Sequence, residues 1–517
     1  MAHAAPSILC RVTLLFLTAT LSSCVFHRVE VSPVEPTDKP PLIVESPVKA
    51  HLIDGSTVVF SDGVTVLEKE IRGDGQKYDL TLQSSVRVSS IPLEDIAAME
   101  SYQTPIREAE TVAGSAAAGS GVLIGGVLLF KALFGSCPTT YSLHDGEFVL
   151  EAESFSYSIA PSFETRDVDR LGVQPVDDEV RLELRNEALE THYINQLELV
   201  EITHQPDQLV FPDPNGRPIV VSEIFSPTVA VDNSRREVTR ELSRADGDAW
   251  ESPDHRLQRV STDDFRDHLD LEFDVPTNVR ETALVLRMRN SLLNTVLLYD
   301  VMLRGQGWRA LDWMGQDLDG LVAKLRLGYW YRDRMGMSVS VWRDGTYREI
   351  EHLPDTGPIA WQDVALTAPV TEPGRLRVRL SFVADNWRID RVGIAEPLKN
   401  GALRTVALTD VLARDGSVVP EASELLRSTD DDYLITRPGE QLTLRFHVGN
   451  SEVGAKRTYF LAAEGYYIEW MRREWLQTVN PVPFRPSDDA LIDALLAWAD
   501  QRDAYRAKFE ATKIPVR

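Results

Sequence analysis

The sequence predicts a mainly β protein. It would hold a small N-terminal β-barrel or roll, a Gly-rich apolar helical segment, two or three β-sandwich-like units and a C-terminal helix. Three observations carry this. Short runs alternating apolar and polar residues recur from Val48 to Val448, punctuated by Gly, Pro, Asn and Asp. One uncharged run, residues 111–130, interrupts them. Past Ser487 the apolar spacing changes from the period of a strand to that of an amphipathic helix.

Residues 1–23 carry one positive charge (Arg11), then the apolar run VTLLFLTATL, then small residues, which is the pattern of a secretory signal. It ends in Leu21-Ser22-Ser23-Cys24. That tetrapeptide resembles the lipobox of bacterial lipoproteins, a family cut before the cysteine and acylated on it. The resemblance implies lipidation at Cys24, and Val25 after it favours the outer membrane, with the chain facing the periplasm. Two acyl chains give stable anchoring where one does not. Residues 24–47 are rich in proline and form a tether.

Residues 48–104 form the small β domain: Val48/Ala50/Leu52, Thr57/Val59, Tyr78/Leu80/Leu82 and Val86/Val88 alternate, with Asp-Gly pairs at 54, 62 and 74 as turns. LEDIAAMES, residues 93–101, reads as a short helix. Residues 105–136 hold the Gly-rich apolar stretch, long enough for a helix of about 30 Å. Its Gly114, Ala118, Gly121 and Gly125 share one helical face, the small-residue surface that lets helices approach in lipid. We expect membrane association without a full crossing, as a kinked hairpin or in the interface, because a β-rich portion belongs with its lipid anchor.

Beyond it, residues 137–304 read as a β domain with a charged insert at 232–270, expected to be a mobile loop. Strands are expected at Val180/Leu182/Leu184, Leu197/Leu199, Leu284/Leu286/Met288 and Val296–Leu303. Residues 305–396 continue as a β-sandwich-like domain with Leu325/Leu327, Met337/Val339/Val341 and Leu376/Val378/Leu380/Phe382. Residues 397–485 form a further β domain, with a strand after the Pro438-Gly439 turn. In 486–517, Ser487 is the expected N-cap, and Leu491, Leu495, Trp498, Tyr505 and Phe509 share a face expected to pack on the last β domain.

Several motifs look familiar. Leu150-Glu-Ala-Glu153, Leu182-x-Leu184-x-Asn186-Glu187 and Ile202-Thr-His204-Gln-Pro206 resemble a family of uncharacterised bacterial envelope lipoproteins. Asn386-Trp-Arg388-Ile-Asp390-Arg-Val392, Lys456-Arg457-Thr-Tyr-Phe460-Leu and Pro481-x-Pro483-Phe484 resemble the β-sandwich tails of some FG-GAP propeller and TPR proteins. The resemblance spans most of residues 136–485. It implies architecture and compartment, and it supplies no catalytic residues.

The formal charge of −25 sets the chain against nucleic acid and anionic lipid, and no nucleic acid is expected among its partners. Of Cys10, Cys24 and Cys137, the first leaves with the signal and the second takes lipid, so Cys137 has no disulfide partner within the chain. No Walker loop, nucleophile elbow, zinc motif or calcium loop occurs, so no catalytic residue, metal or cofactor is assigned. Trp330, Trp342, Trp361 and Trp387, with Tyr329, Tyr331 and Tyr347, make the middle aromatic. Such rings fill sandwich cores and edges. In the alternative reading Trp330 and Trp342 bind glycan, and two carboxylates in one cleft beside them would make the protein a glycan hydrolase. The reading carried forward is a lipid-anchored β-rich scaffold or binding module of the cell envelope, held to membrane lipid through acylated Cys24 and meeting envelope protein partners.

Overall fold

The computed structural model describes residues 30–33, 41–45, 48–52, 56–60, 62–78, 85–103, 137–188, 190–258, 260–261, 264–318, 320–398, 401–436, 440–450, 454–469, 475, 478 and 480–512. The signal, Cys24, the 105–136 stretch, and the turns at Asp54-Gly55 and Pro438-Gly439 lie outside them. The chain divides into two compact units, holding described residues 30–103 and 137–512. It is mainly β in both.

The first unit is one eight-stranded sheet. Its strands are β1 (Glu30–Pro33), β2 (Leu42–Val44), β3 (Val48–Leu52), β4 (Thr57–Phe60), β5 (Val64–Val66), β6 (Glu70–Tyr78), β7 (Ser85–Pro92) and β8 (Ile96–Gln103). They run in the order β1-β8-β3-β4-β6-β5-β2, with β7 added on β6. The sheet rolls around Val48, Ala50, Val58, Phe60 and Ile71 without closing into a barrel. β1 and β2 come from the expected tether and pair with β8 and β5. The expected helix at 93–101 is a single 3₁₀ turn, Leu93–Asp95, followed by β8. Pairing on both sides, with β1 and β3, overrides the helix propensity of Ala and Met there.

The second unit holds two sandwiches. The outer one is made by β9 (Thr139–His144), β10 (Glu147–Glu153), β11 (Thr165–Leu171), β12 (Glu179–Arg185) and β13 (Glu190–His204), completed late in the chain by β25 (Ala402–Val406), β26 (Leu408–Ala413), β27 (Leu434–Thr436), β28 (Gln441–His447) and β29 (Lys456–Glu469). Its sheets run β10-β9-β12-β28-β26 and β11-β29-β13-β25, with β27 on β13. The inner one uses β16 (Val229–Asp232), β17 (Arg266–Asp274), β18 (Glu281–Asn290), β19 (Met337–Arg343), β20 (Thr346–Leu353), β21 (Gln362–Pro369), β22 (Arg375–Val383) and β23 (Trp387–Ala395), in sheets β16-β17-β22-β19-β20 and β21-β18-β23. The sheets therefore cut across the expected boundaries at 304/305 and 396/397. β12 pairs with β28 over Glu179–Arg185, a contact between segments far apart in sequence that alternation does not reveal.

Each sandwich has its own core. Leu269, Leu284, Val339, Val378 and Ile389 meet in the inner one, and Leu182, Leu199, Leu444 and Leu461 in the outer. A small sheet of β14 (Leu209–Pro212), β15 (Pro218–Val221) and β24 (Pro397–Leu398) lies between them. It packs Phe211 and Val221 on Ala283 and Val285 of β18, and Val210 and Val220 on Ile202 and Phe460. β18 is thus buried on both faces, which is why it reads as a nearly continuous apolar run.

Helices interrupt the inner sandwich where strands were expected. Residues 293–317 start as α1 (Leu293–Val296) and continue in π and 3₁₀ turns, and α2 (Leu321–Met335) follows. Val296–Leu303 and Leu325/Leu327 are therefore helical. The reason is spacing: Leu293, Val296 and Leu297 fall at i, i+3 and i+4 and are all buried. α3 (Asp488–Thr512) closes the described chain, with the amide of Ala490 donating to the Ser487 hydroxyl as an N-cap. It docks mainly on α1, on the turns after it and on the β22–β23 turn, rather than on the last β domain as expected. The insert 232–270 is stitched down: Asp232 pairs with Arg236, Arg256 with Asp264, and the Asp246 and Gly247 amides donate to Asp390.

Candidate functional site

A cavity of about 240 Å³ opens in the second unit where the two sandwiches meet the helices. Its walls are the turn after β10 (Ser156, Tyr157, Ile159), α1 and the helical turns after it (Asn294, Leu298, Met302), the inner face of α2 (Leu327, Gly328, Tyr331), the loop between β20 and β21 (Pro354, Asp355, Thr356) and Tyr467 of β29. Most of this lining is apolar. A cavity somewhat smaller than this holds a benzene ring.

Each wall is positioned by a local cause. α2 ends at Gly336, whose amide donates to Arg332 O at 3.0 Å. A Cβ at Gly336 would lie 2.5 Å from that same oxygen, so only glycine fits. The ring of His352 donates from Nε2 to the same carbonyl at 2.7 Å. Tyr467 holds the β10 turn, its hydroxyl donating to Ser156 O and its amide to Ser158 O, both at 2.9 Å.

The loop carrying Asp355 is clamped at two points. On one side the Asn290 amide donates to Thr356 Oγ1 at 3.1 Å, and the Thr356 amide returns a bond to Asn290 Oδ1. On the other, Glu153 Oε2 accepts the amides of Ile359 and Ala360 at 2.7 and 2.6 Å. Gly357 sits against that carboxylate.

The polar end of the cavity is rich in acceptors. Asp355 Oδ2 takes the hydroxyl of Tyr331 and Nδ2 of Asn294, each at 3.1 Å. Burial pushes its carboxyl up to about 7, against the opposing pull of those two bonds. Burial, and then Asp355, push the Tyr331 phenol well above its ordinary value, so it is a donor throughout the physiological range. Asn294 is buried, and among the described residues neither its Oδ1 nor Ser156 Oγ has a hydrogen-bond partner. An apolar chamber with one acceptor-lined end suits a small, largely apolar molecule carrying a hydrogen-bond donor.

A second buried group of acids adjoins this loop. Glu151 accepts from Ser142 Oγ at 2.5 Å and from the Gly172 amide at 2.6 Å, and Glu187 accepts from Tyr141 at 2.6 Å and Thr139 at 2.9 Å. Glu190 accepts the Cys137 amide and lies 2.7 Å from His192 Nε2. Burial lowers His192 to about 3, so its ring is neutral. These carboxyls hold backbone and hydroxyl donors in place. Among the described residues no group of His, Cys, Asp and Glu could hold a metal ion.

The tryptophans singled out by sequence go to separate places. Trp330, on α2, meets the edge of Phe484 at 5.9 Å. Trp342, on β19, stands beside Tyr347 at 5.1 Å, with the Arg377 guanidinium 4.3 Å above its ring. The structure gives these two rings no shared partner. Trp361 lies under Arg287 and Arg289, and Trp387 is in the inner core. Cys24 lies outside the described residues. Sequence reasoning missed Asp355, Asn294 and Ser156, because their convergence depends on two loops and a helix distant in the chain.

No protein-family model matches the sequence, and no curated protein matches it. Among solved structures, the chain is similar to the C-terminal CBM6 of LamC from Zobellia galactanivorans at 10% identity and TM-score 0.13, over 38% of this chain and 99% of that one. It is similar to an allantoicase at 10% identity and TM-score 0.17, over 45% of this chain and 83% of that one. A third likeness is to a cycloalternan-forming enzyme from Listeria monocytogenes, at 10% identity and TM-score 0.17; it covers 71% of this chain and 30% of that one. At these TM-scores the likenesses carry no argument about fold detail or activity.

Proposed function

We propose that this chain is a lipid-anchored, β-rich binding module of the cell envelope, and that its ligand site is the cavity beside Asp355. Anchoring rests on the Leu-Ser-Ser-Cys24 sequence; an acyl group found on Cys24 by mass spectrometry supports it, and a processed but unacylated chain refutes it. Binding rests on one observation: a mostly apolar cavity whose polar end presents Asp355 and Asn294 Oδ1, which has no partner among the described residues. The ligand is a small apolar molecule with an amine or hydroxyl head.

Ligand-observed NMR with benzylamine, toluene and benzoate tests it. Benzylamine should bind best and benzoate least, and Gly328→Leu should abolish binding. A Cβ at Gly328 meets only Phe163, at 3.5 Å, so the larger side chain can enter the cavity without breaking the helix. Equal binding by the wild type and Gly328→Leu sinks the cavity reading. The glycan alternative has one observation in its favour, the adjacent rings of Trp342 and Tyr347 on a half-buried sheet face. Binding of soluble β-glucan oligosaccharides that is lost in Trp342→Ala would replace the present reading with that one.

A further inference from the structure

The outer face of α2 is apolar where a water-facing helix should be polar. Leu321, Val322, Leu325 and Tyr329 are 69%, 75%, 45% and 68% exposed. Leu321, Leu325 and Tyr329 fall at i, i+4 and i+8, with Val322 beside them, so they form one stripe. The same helix buries Leu327 on its cavity side and Met335 in its last turn. The stripe is therefore surplus to the fold.

In and just before the helix, Lys324, Arg326, Arg332 and Arg334 outnumber Asp317, Asp319 and Asp333. Arg326 and Arg332 are exposed, Arg332 at the edge where the outer face meets the cavity lining, and neither forms an ion pair among the described residues. Asp333, the acid of the same face, is neutralised by Arg266 and Arg334. On a chain of net charge −25 this is a local cationic surface. Exposed Leu, Val and Tyr beside arginines that form no ion pair among the described residues suit contact with a bilayer interface, with apolar side chains among acyl groups and guanidinium groups at phosphate.

We propose that α2 docks on an anionic lipid surface through Leu321, Val322, Leu325 and Tyr329, with Arg326 and Arg332 at the headgroups. This contact is additional to any acyl anchor and belongs to the second unit. The inner face of the helix walls the cavity, so docking sets that cavity beside the lipid phase.

The test uses the full chain with Cys10 and Cys24 replaced by Ser, and Val322→Cys carrying an environment-sensitive fluorophore. Buried Cys137 does not compete for the label. Vesicles of phosphatidylcholine with phosphatidylglycerol should shift the emission to the blue, and phosphatidylcholine alone should not. Arg326→Gln with Arg332→Gln should weaken partitioning about 30-fold. The proposal is overturned if the label stays in water while the chain sediments with vesicles, because another segment then holds the membrane. It is also overturned if neutral vesicles shift the emission equally. A shift caused by raising the protein concentration without lipid would assign the face to a second copy of the chain instead.

Discussion

Trp498 of the C-terminal helix donates its indole Nε1–H to Asp385 Oδ2 at 2.7 Å, in the turn between β22 and β23. Both residues are buried, and Arg502 and Arg388 bring their guanidinium groups to the same carboxylate. Asp385 is thus the acceptor on which the final helix is hung. Trp498→Phe removes one hydrogen bond from a ring that stays packed, and should cost about 1–2 kcal/mol. Asp385→Ala takes the shared acceptor from Trp498, Arg502 and Arg388, leaving Arg502 to Glu251 and Asp254 and Arg388 to Glu251, and should cost about 2–3 kcal/mol. Urea denaturation measures both; equal costs would mean that the carboxylate is not the organising group.

Asp355 makes stability depend on pH. Its folded value of about 7 lies above the ordinary 3.8. The sign follows: the folded state keeps the proton longer, so no penalty exists below 3.8, it accumulates as pH rises, and it is full above about 7. Integrated over that range it is about 4 kcal/mol. Asp355→Asn should therefore gain on the wild type progressively from pH 4 to 7 and by a constant amount above. Parallel stability curves across that range would contradict the assignment. Binding has the opposite sign: benzylamine, cationic throughout, should bind more tightly at pH 8 than at pH 6.

Much of this architecture is legible in the sequence. Residues whose side chains alternate across a sheet announce themselves, as Leu182/Leu184 in β12 and Val339/Val341 in β19 do. The N-cap at Ser487 is local and equally readable. Non-local choices are not. β8 is built from residues that favour helix, and becomes a strand because β1 and β3 flank it. Alternation predicts strands at Val296–Leu303 and Leu325/Leu327, but both lie in helical segments, and Leu325 is exposed and Leu327 buried on one helix. The acidic Leu150-Glu-Ala-Glu153 motif was visible, but its role was not: Glu153 fixes a loop about two hundred residues later, at Ile359 and Ala360.

That clamp gives a prediction for Gly357. A Cβ there would lie 2.6 Å from Glu153 Oε2, on a carboxylate already committed to two amides. Gly357→Ala must push the loop off Glu153 and carry Asp355 out of line with Tyr331 and Asn294. It should cost about 1–3 kcal/mol in stability, and weaken benzylamine binding as well. Gly328→Ala is the control: its Cβ meets ordinary contact, and replacing a mid-helix glycine should raise stability by about 1 kcal/mol. If the two variants melt alike, the clamp does not hold the site.

Cys137 sits 3.9 Å from Glu153 Oε1 and is buried. Burial pushes its thiol well above the ordinary value, and the nearby carboxyls of Glu153 and Glu190 push it further the same way. The thiolate is the reactive form, so the native protein should leave this residue untouched by thiol reagents at pH 8. In the chain with Cys10 and Cys24 replaced by Ser, 5,5′-dithiobis(2-nitrobenzoate) should react only under conditions that unfold the second unit. Its urea midpoint for reaction should match that of the fluorescence transition. Dithiothreitol should leave the thermal melt unchanged, because the remaining thiol has no partner to release. Rapid labelling of the native protein would show that the turn at Cys137 opens independently of the β-sandwich, and the clamp through Glu153 would then be a weak one.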